Sequence, residues 1–135
     1  MSTRGVDIDR IHRKRPFTPT EHEIQCAYFD WVRLQYPYCK LIYAVPNGSS
    51  KSMPAALKFK REGLTPGMPD VNIDIPRGDY HGMRIEFKSA KGFVADTQKV
   101  AHQQLNDAGY WVVVCRTTEA AIEATKAYLG EWRWQ

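Results

Sequence analysis

The sequence predicts an α/β fold in which a mixed β-sheet is flanked by helices, and three observations support this prediction. Segments with helical spacing of apolar residues alternate with short runs rich in β-branched and aromatic residues, in the order αβαββαβα. Two neighbouring runs alternate strictly between apolar and polar residues, as half-buried strands do. The run 110–115 is continuously apolar, which is typical of a strand covered on both faces. The length of 135 residues allows one domain with its own core.

The composition is that of an ordinary soluble globular protein, with 43% hydrophobic and 25% charged residues. We find no apolar run near the roughly 20 residues needed to cross a bilayer, and no secretory signal at the start. The three cysteines form no CxxC pair. They therefore argue against a disulfide framework or a zinc site and favour a cytoplasmic location.

Most of the net charge of +4 lies near the start of the chain. The first 20 residues hold five basic and two acidic residues, a net +3, with the densest point at 13–16. Two interpretations remain open: an arm that lies on nucleic-acid phosphates, and a solvated tail. We therefore expect a basic arm over residues 1–17, followed by one domain over residues 18–135.

The first helix has two competing start signals. Thr18 as N-cap and Glu21 three residues later form a capping box, which a proline at the first helical position favours. Thr20 and Glu23 have the same spacing, and this second box would employ Glu23 in holding the helix start. We expect the first box to form, and we expect Pro37 to end the helix.

The remaining elements follow from the same patterns and are bounded by Gly, Pro or Asn. In chain order they are strand 40–45, helix 52–62, strands 71–75 and 83–88, helix 96–108, strand 110–115 and helix 118–129. The two alternating strands are joined by a short turn containing Gly and Asp, so we expect them to form a hairpin. Gly63 suits the position just after the C-cap of the second helix.

A polar cluster is expected on one face of this hairpin. Glu86 and Lys88 lie on the same face of their strand, opposite the apolar residues. Asp70 shares a face with the polar residues of the other strand. If the strands pair, an aspartate, a glutamate and a lysine converge.

Two carboxylates a few ångströms apart repel each other unless a cation lies between them. Oxygen ligands of this kind suit Mg²⁺ or Mn²⁺, and a neighbouring lysine can position an attacking water. The layout predicts metal-assisted phosphodiester hydrolysis. The competing interpretation is a solvated outer face of an amphipathic hairpin, on which a Glu-x-Lys pair is commonplace.

An ordered set of segments resembles the VRR-NUC domains of the PD-(D/E)xK nuclease superfamily, over roughly residues 21–128. The most recognisable segments are 61–70, which ends in Pro69-Asp70, and 85–88, which holds Glu-x-Lys. The other segments are Glu23-Ile24-Gln25, Pro46-Asn47-Gly48, Lys91-Gly92 leading to Gln98, and 105–110.

The resemblance implies a restriction-endonuclease-like fold and divalent-metal-dependent cleavage of DNA with Mg²⁺ or Mn²⁺. It further implies a stand-alone phage or bacterial type, acting on branched DNA such as Holliday junctions or flaps. A homodimer would suit a four-way junction, because two-fold symmetry presents two sites to two strands. Alternatives are a nuclease for linear, single-stranded or RNA substrates, and a DNA-binding module without cleavage activity.

The same resemblance assigns roles to individual residues. Asp70 and Glu86 are the expected metal ligands, together with the backbone carbonyl of Phe87. Lys88 would orient the attacking water and stabilise charge developing on the phosphate. Glu23 resembles the superfamily's acid on the first helix, which contacts the metal directly or through water.

Gln98 resembles the family's glutamine on the helix after the Glu-x-Lys strand, and it is expected near Lys88 or the phosphate. A boundary glutamine with a locally satisfied amide is the competing interpretation. His102 shares a helical stripe with Gln98, and such a histidine is more often a residue at the edge of the core than a general base.

Further residues are candidates for nucleic-acid binding. Asn47 is expected to shape a loop near the site, and basic side chains on or beside the second helix are candidates for phosphate contacts. For these basic residues a solvated helix face is the competing interpretation. The candidates are Asn47, Lys51, Lys58, Lys60 and Arg61. The aromatic pair Trp132 and Trp134 is expected to dock onto this domain or onto a second copy.

Overall fold

The computed structural model of the protein describes residues 17–46 and 52–133. Within these ranges, helices and strands follow one another in the predicted order αβαββαβα. The helices are α1 (Glu21–Gln35), α2 (Met53–Arg61), α3 (Asp96–Asp107) and α4 (Thr118–Leu129). The strands are β1 (Ile42–Ala44), β2 (Val71–Ile73), β3 (Gly82–Phe87) and β4 (Tyr110–Cys115). The first two strands are shorter than predicted.

The strands form one mixed sheet in the order β1-β2-β3-β4. β2 pairs antiparallel with β1 and with β3, whereas β4 pairs parallel with β3. Parallel pairing needs a crossover connection, which α3 supplies between β3 and β4. The predicted hairpin and the predicted fold class, a mixed sheet flanked by helices, are both confirmed.

The two faces of β3 have different roles. Met83, Ile85 and Phe87 are fully buried on one face, against a core that α1 and α4 complete. Tyr28 of α1 and Thr125 of α4 share a buried hydrogen bond of 2.8 Å, which joins the two helices. The opposite face carries the polar residues of the hairpin, and α3 reaches that face through Gln98. The apolar face of β3 therefore anchors the strand to the core, and the opposite face carries the polar residues.

The N-cap of α1 is Thr20, so the predicted box of Thr18 and Glu21 is wrong. The Thr20 hydroxyl accepts a hydrogen bond from the Glu23 N–H at 3.1 Å. In return the Glu23 carboxylate accepts from the hydroxyl and the N–H of Thr20, at 3.0 and 3.4 Å. Reciprocal bonding satisfies helix donors that would otherwise lack partners. Glu21 becomes the first helical residue and is not needed for the cap.

β4 was expected to be covered on both faces; α3 and α4 both contact it, but the cover is incomplete. In the described part of the chain β4 is an edge strand with β3 as its neighbour. Trp111 and Val113 pack against the core, whereas Val114 is 40% exposed. The continuous apolar run overstated the burial, because most residues of β4 are half-buried rather than buried.

Two peripheral segments complete the described structure. No residue of α2 itself is buried, and Gly63 after its C-cap has φ +100°, as predicted for that position. Near the other end, the ring of Trp132 lies 6.1 Å from that of Tyr36, so Trp132 docks onto this domain. Trp134 lies outside the described residues. In the described ranges no helix has the length and hydropathy to span a membrane.

Candidate active site

The β2–β3 register brings the predicted acidic residues together. Val71 lies opposite Ile85 in the antiparallel pair, so the preceding Asp70 lies beside Glu86. The Asp70 carboxylate accepts a hydrogen bond from the Phe87 N–H at 2.7 Å, which fixes its position relative to β3. The predicted convergence of Asp70, Glu86 and Lys88 is therefore present.

These three polar residues are buried rather than solvated. Asp70 is 8% exposed, Glu86 1% and Lys88 9%. The competing interpretation of a solvated outer hairpin face is therefore wrong, because charged residues are almost never buried unless they are paired. Burial of two carboxylates and an ammonium in one cluster is typical of a functional site.

Glu86 lies at the centre of the cluster. Its Oε1 accepts a hydrogen bond from the Gln98 amide and lies 3.4 Å from the Lys88 ammonium nitrogen. Its Oε2 is buried and has no hydrogen-bond partner among the described residues. Burial raises the pKa of Glu86 to about 7, the Asp70 carboxylate adds to the rise, and Lys88 opposes it.

Gln98 makes two contacts, one within the first turn of α3 and one with the acidic cluster. Its side-chain oxygen accepts from the Ala95 N–H at 2.9 Å, which caps the start of α3, since Ala95 offers no side-chain acceptor. Its amide nitrogen donates to Glu86 Oε1, the oxygen that lies 3.4 Å from the Lys88 ammonium, so Gln98 lies near Lys88. The capping bond holds the side chain in the orientation that serves Glu86.

Gly67 allows the loop before Asp70 to approach the start of α3. Its φ is +87°, and a β-carbon there would lie 2.5 Å from the backbone oxygen of Thr97. That separation is too short for any side chain. The glycine therefore permits the contact that brings the Asp70 loop and the Gln98 turn together.

The structure places two glutamates of α1 differently from the sequence prediction. The contacts of the Glu23 carboxylate are with Thr20, at the cap, rather than with the acidic cluster. Glu21 instead reaches the loop after Lys88. A β-carbon built on Gly92 would lie 3.4 Å from Glu21 Oε1 and 3.5 Å from Lys88 Cδ. Sequence reasoning missed Glu21 because it had been assigned to the cap.

Arg116 fixes the loop that follows Lys88. Its guanidinium donates to the backbone oxygens of Ser89 and Gly92, at 2.9 and 2.6 Å. Arg116 comes directly after β4, which pairs with β3. The strand pairing therefore brings Arg116 to the loop that follows β3. This residue was not among the predicted site residues, since nothing in its local sequence marks it.

A second polar group occupies the other end of the same sheet face. Arg84 forms an ion pair of 3.1 Å with Asp74 and stacks 4.4 Å from the ring centre of Tyr110. Tyr43 donates to Asp74 at 2.7 Å and accepts from Asn72 at 3.3 Å. These polar groups are hydrogen-bond and ion-pair partners of one another, and they fix the register of the hairpin beside the acidic cluster.

The nucleic-acid candidates are only partly covered by the structure. Lys58, Lys60 and Arg61 are exposed on the last turn of α2. Asn47 and Lys51 lie outside the described residues. The basic arm is likewise outside them, apart from Phe17.

The donor set of the cluster fits a cation that takes few protein ligands. Across residues 17–46 and 52–133 there is no group of three His, Cys, Asp or Glu side chains able to hold a metal. Mg²⁺ typically uses one or two carboxylates and completes its coordination with water and substrate phosphate. Asp70 and the buried, unpartnered Oε2 of Glu86 are such a pair.

The fold and this site define a nuclease of the PD-(D/E)xK type. The family model described as the VRR-NUC domain matches residues 4–119, and the chain belongs to that family. A solved structure described as a "VRR_NUC domain protein" is similar to this chain, with 31% identity and a TM-score of 0.73. The match covers 88% of this chain and 95% of that one. A comparison with curated proteins finds no match.

Proposed function

We propose that the protein is a divalent-metal-dependent endonuclease that hydrolyses DNA phosphodiester bonds. The observation that carries the proposal is the buried convergence of Asp70, Glu86 and Lys88 on one sheet face. Two adjacent carboxylates beside an ammonium are a costly arrangement for stability alone, because burial already disfavours the charged glutamate. Metal-assisted phosphodiester hydrolysis uses each of the three groups.

Asp70 and Glu86 would hold the cation together with the backbone carbonyl of Phe87. Bound Mg²⁺ or Mn²⁺ would supply charge neutralisation at the phosphate and a water of lowered pKa. The position of Glu21 beside the Lys88 loop supports it, in place of Glu23, as the acid of α1 that contacts the cation directly or through water. Glu23 is then a residue of the helix cap.

Side chains and a backbone N–H of the protein supply the other functions that hydrolysis needs. Lys88 orients the attacking water and stabilises negative charge that develops on the phosphate. Gln98 holds the Glu86 carboxylate, and the Phe87 N–H holds that of Asp70. Because these contacts exist before substrate arrives, the acidic pair needs little rearrangement to act.

The proposed substrate is branched DNA, such as a Holliday junction or a flap, cut by a homodimer in the cytoplasm of a bacterial or phage-infected cell. The resemblance described above supports this substrate. Lys58, Lys60 and Arg61 are proposed phosphate contacts, and Asn47, Lys51 and the basic arm are further candidates. Cleavage of linear, single-stranded or RNA substrates is the second candidate function.

The test is a cleavage panel on labelled four-way junction, flap, duplex and single strand with Mg²⁺ or Mn²⁺. The parent is expected to cut, and Lys88→Ala to lose at least about 100-fold in rate. Lys126→Ala is the matched control, because Lys126 is an exposed lysine paired with Glu123 on α4. It should cut like the parent.

Equal cutting by the parent and Lys88→Ala would reject the proposed role of the lysine. A parent that cuts nothing, together with a Glu86→Ala variant that binds DNA as the parent does, would identify a binding module instead.

A further inference from the structure

A histidine on α3 lies against the acidic cluster without a role in the chemistry proposed above. His102 is one helical turn after Gln98, at i+4, so both side chains share a helix face. Gln98 donates to Glu86, and that face is therefore directed at the cluster. The ring nitrogen Nε2 of His102 is completely buried and has no hydrogen-bond partner among the described residues.

A buried nitrogen without a partner loses its hydration without compensation, so it calls for an explanation. His102 lies close enough to Lys88 and Asp70 for both charges to act on it. Burial lowers the pKa of His102, the Lys88 ammonium lowers it further, and Asp70 opposes the change. The ring is therefore neutral at pH 7, and with the proton on Nδ1 its Nε2 is an acceptor.

Lys88 has donors to spare in the same region. An ammonium carries three N–H donors, and the Lys88 nitrogen lies 3.4 Å from Glu86 Oε1. That oxygen also accepts from the Gln98 amide. A cation held by Glu86 would repel the ammonium, so a second, neutral acceptor would help to hold Lys88 in place.

We infer that His102 is a positioning residue whose Nε2 accepts a hydrogen bond from the Lys88 ammonium in the working site. The bond would keep Lys88 directed at the phosphate when a cation on Glu86 repels the ammonium. The buried nitrogen does not touch substrate, so His102 acts through Lys88. This inference rests on the proposed nuclease function.

Two amide substitutions separate this role from simple packing. A glutamine amide reaches the position of histidine Nε2, whereas an asparagine amide reaches that of Nδ1. With saturating Mg²⁺ and a cleaved DNA, His102→Gln should keep kcat within about threefold of the parent, and His102→Asn and His102→Phe should lose about 10- to 100-fold. KM should change little in all three variants, because the phosphate contacts remain.

Thermal unfolding in chelator supplies a readout that does not depend on cleavage. His102→Phe should melt at the same temperature as the parent or higher, since it removes a buried polar atom without breaking a bond. A parallel fall of melting temperature and kcat, with His102→Gln as poor as His102→Asn, would show a packing role and overturn the inference. Parent-like cutting by His102→Phe would also overturn it.

Imidazole nitrogen NMR tests the contact itself, even if the parent cuts no DNA. Addition of Mg²⁺ to the parent should shift the His102 Nε2 resonance in the direction expected for an accepted hydrogen bond. In Lys88→Met, which has no donors, that shift should be absent. The same response in both proteins would overturn the inference, whereas absence of cleavage alone would contradict only the proposed function.

Discussion

Glu21 and Glu23 show how two acidic residues on one helix turn can have separate tasks. Glu23 holds the helix start through Thr20, whereas Glu21 lies by Gly92 and the Lys88 side chain. They are two positions apart, about 200° around a helix, so they face nearly opposite directions. The contact with the cap and the position beside Lys88 therefore fall to different residues.

Alanine substitutions should separate the two glutamates. Glu23→Ala removes half of the capping box and should lower the free energy of unfolding by about 0.5–2 kcal/mol, with cleavage retained. Glu21→Ala should cost less than about 1 kcal/mol in stability and at least tenfold in cleavage rate. Urea unfolding and single-turnover cleavage measure the two effects, and the reverse pattern would restore Glu23 to the site.

Glu86 should give stability a pH dependence in metal-free buffer. Its pKa rises from 4.5 in the unfolded chain to about 7 in the folded protein. The folded state therefore favours the protonated form, so the contribution of Glu86 to the free energy of unfolding is greatest below pH 4.5 and is lost as the pH rises through 7. The loss is about 3 kcal/mol at most, at about 1.4 kcal/mol per pKa unit.

Glu86→Gln should abolish this loss. Measured in chelator, its melting temperature should exceed that of the parent at pH 8 by several degrees and match it near pH 4.5. Glu123→Gln, which changes an exposed carboxylate on α4, should show no such trend. A Glu86→Gln variant that is less stable at every pH would contradict the assignment.

At the scale of elements, the site depends on how closely a loop and a helix approach each other. The Asp70 loop meets the first turn of α3 at Gly67, and the loop after Lys88 is held by Arg116 from the end of β4. Each contact joins segments far apart in sequence, and each involves backbone groups. Such contacts leave no periodic signal in the sequence.

Gly67→Ala should be much more harmful than Gly63→Ala, its matched control. Both glycines have positive φ, +87° and +100°, but a β-carbon at Gly63 has nothing within 4 Å. Gly63→Ala should therefore cost about 1 kcal/mol, from backbone strain alone. Gly67→Ala should cost an additional 1–3 kcal/mol or so, and should reduce cleavage by displacing α3 from Glu86.

Urea unfolding and cleavage assays on both glycine variants check this prediction. Equal losses in Gly63→Ala and Gly67→Ala would mean that the loop and α3 are not in tight contact.

At the scale of the whole molecule, the acidic site and the basic residues lie in different parts of the chain. The net charge is +4, and the first 20 residues supply +3 of it. The domain is nearly neutral because it includes the acidic cluster, which would repel a phosphate in the absence of a cation. Attraction of DNA must therefore come from basic groups outside the cluster, such as the last turn of α2.

Replacing Lys58, Lys60 and Arg61 together by alanine should weaken DNA binding without affecting stability, because all three are exposed. Each lost phosphate contact should reduce the slope of log affinity against log salt by about 0.9. The control Lys99→Ala/Lys126→Ala, on α3 and α4, should leave that slope unchanged. Fluorescence anisotropy in chelator measures it, and equal slopes for both variants would exclude α2 from the DNA contact.

The sequence by itself determined the element order, the hairpin and the residues of the acidic cluster. Period-two alternation fixes which side chains share a strand face, so Asp70, Glu86 and Lys88 could be placed together on condition that the two strands pair, as they do. The start of α4 at Thr118 and the positive φ of Gly63 likewise follow from local rules.

Only the tertiary structure decided which of two capping boxes forms, that β4 is an edge strand, and that Glu21 rather than Glu23 lies by Lys88. The same holds for Arg116 and for the buried Nε2 of His102. The physical reason is common to all of them. Burial, edge position and loop contacts depend on which distant segments pack together, whereas spacing along the chain reports only the geometry of one element at a time.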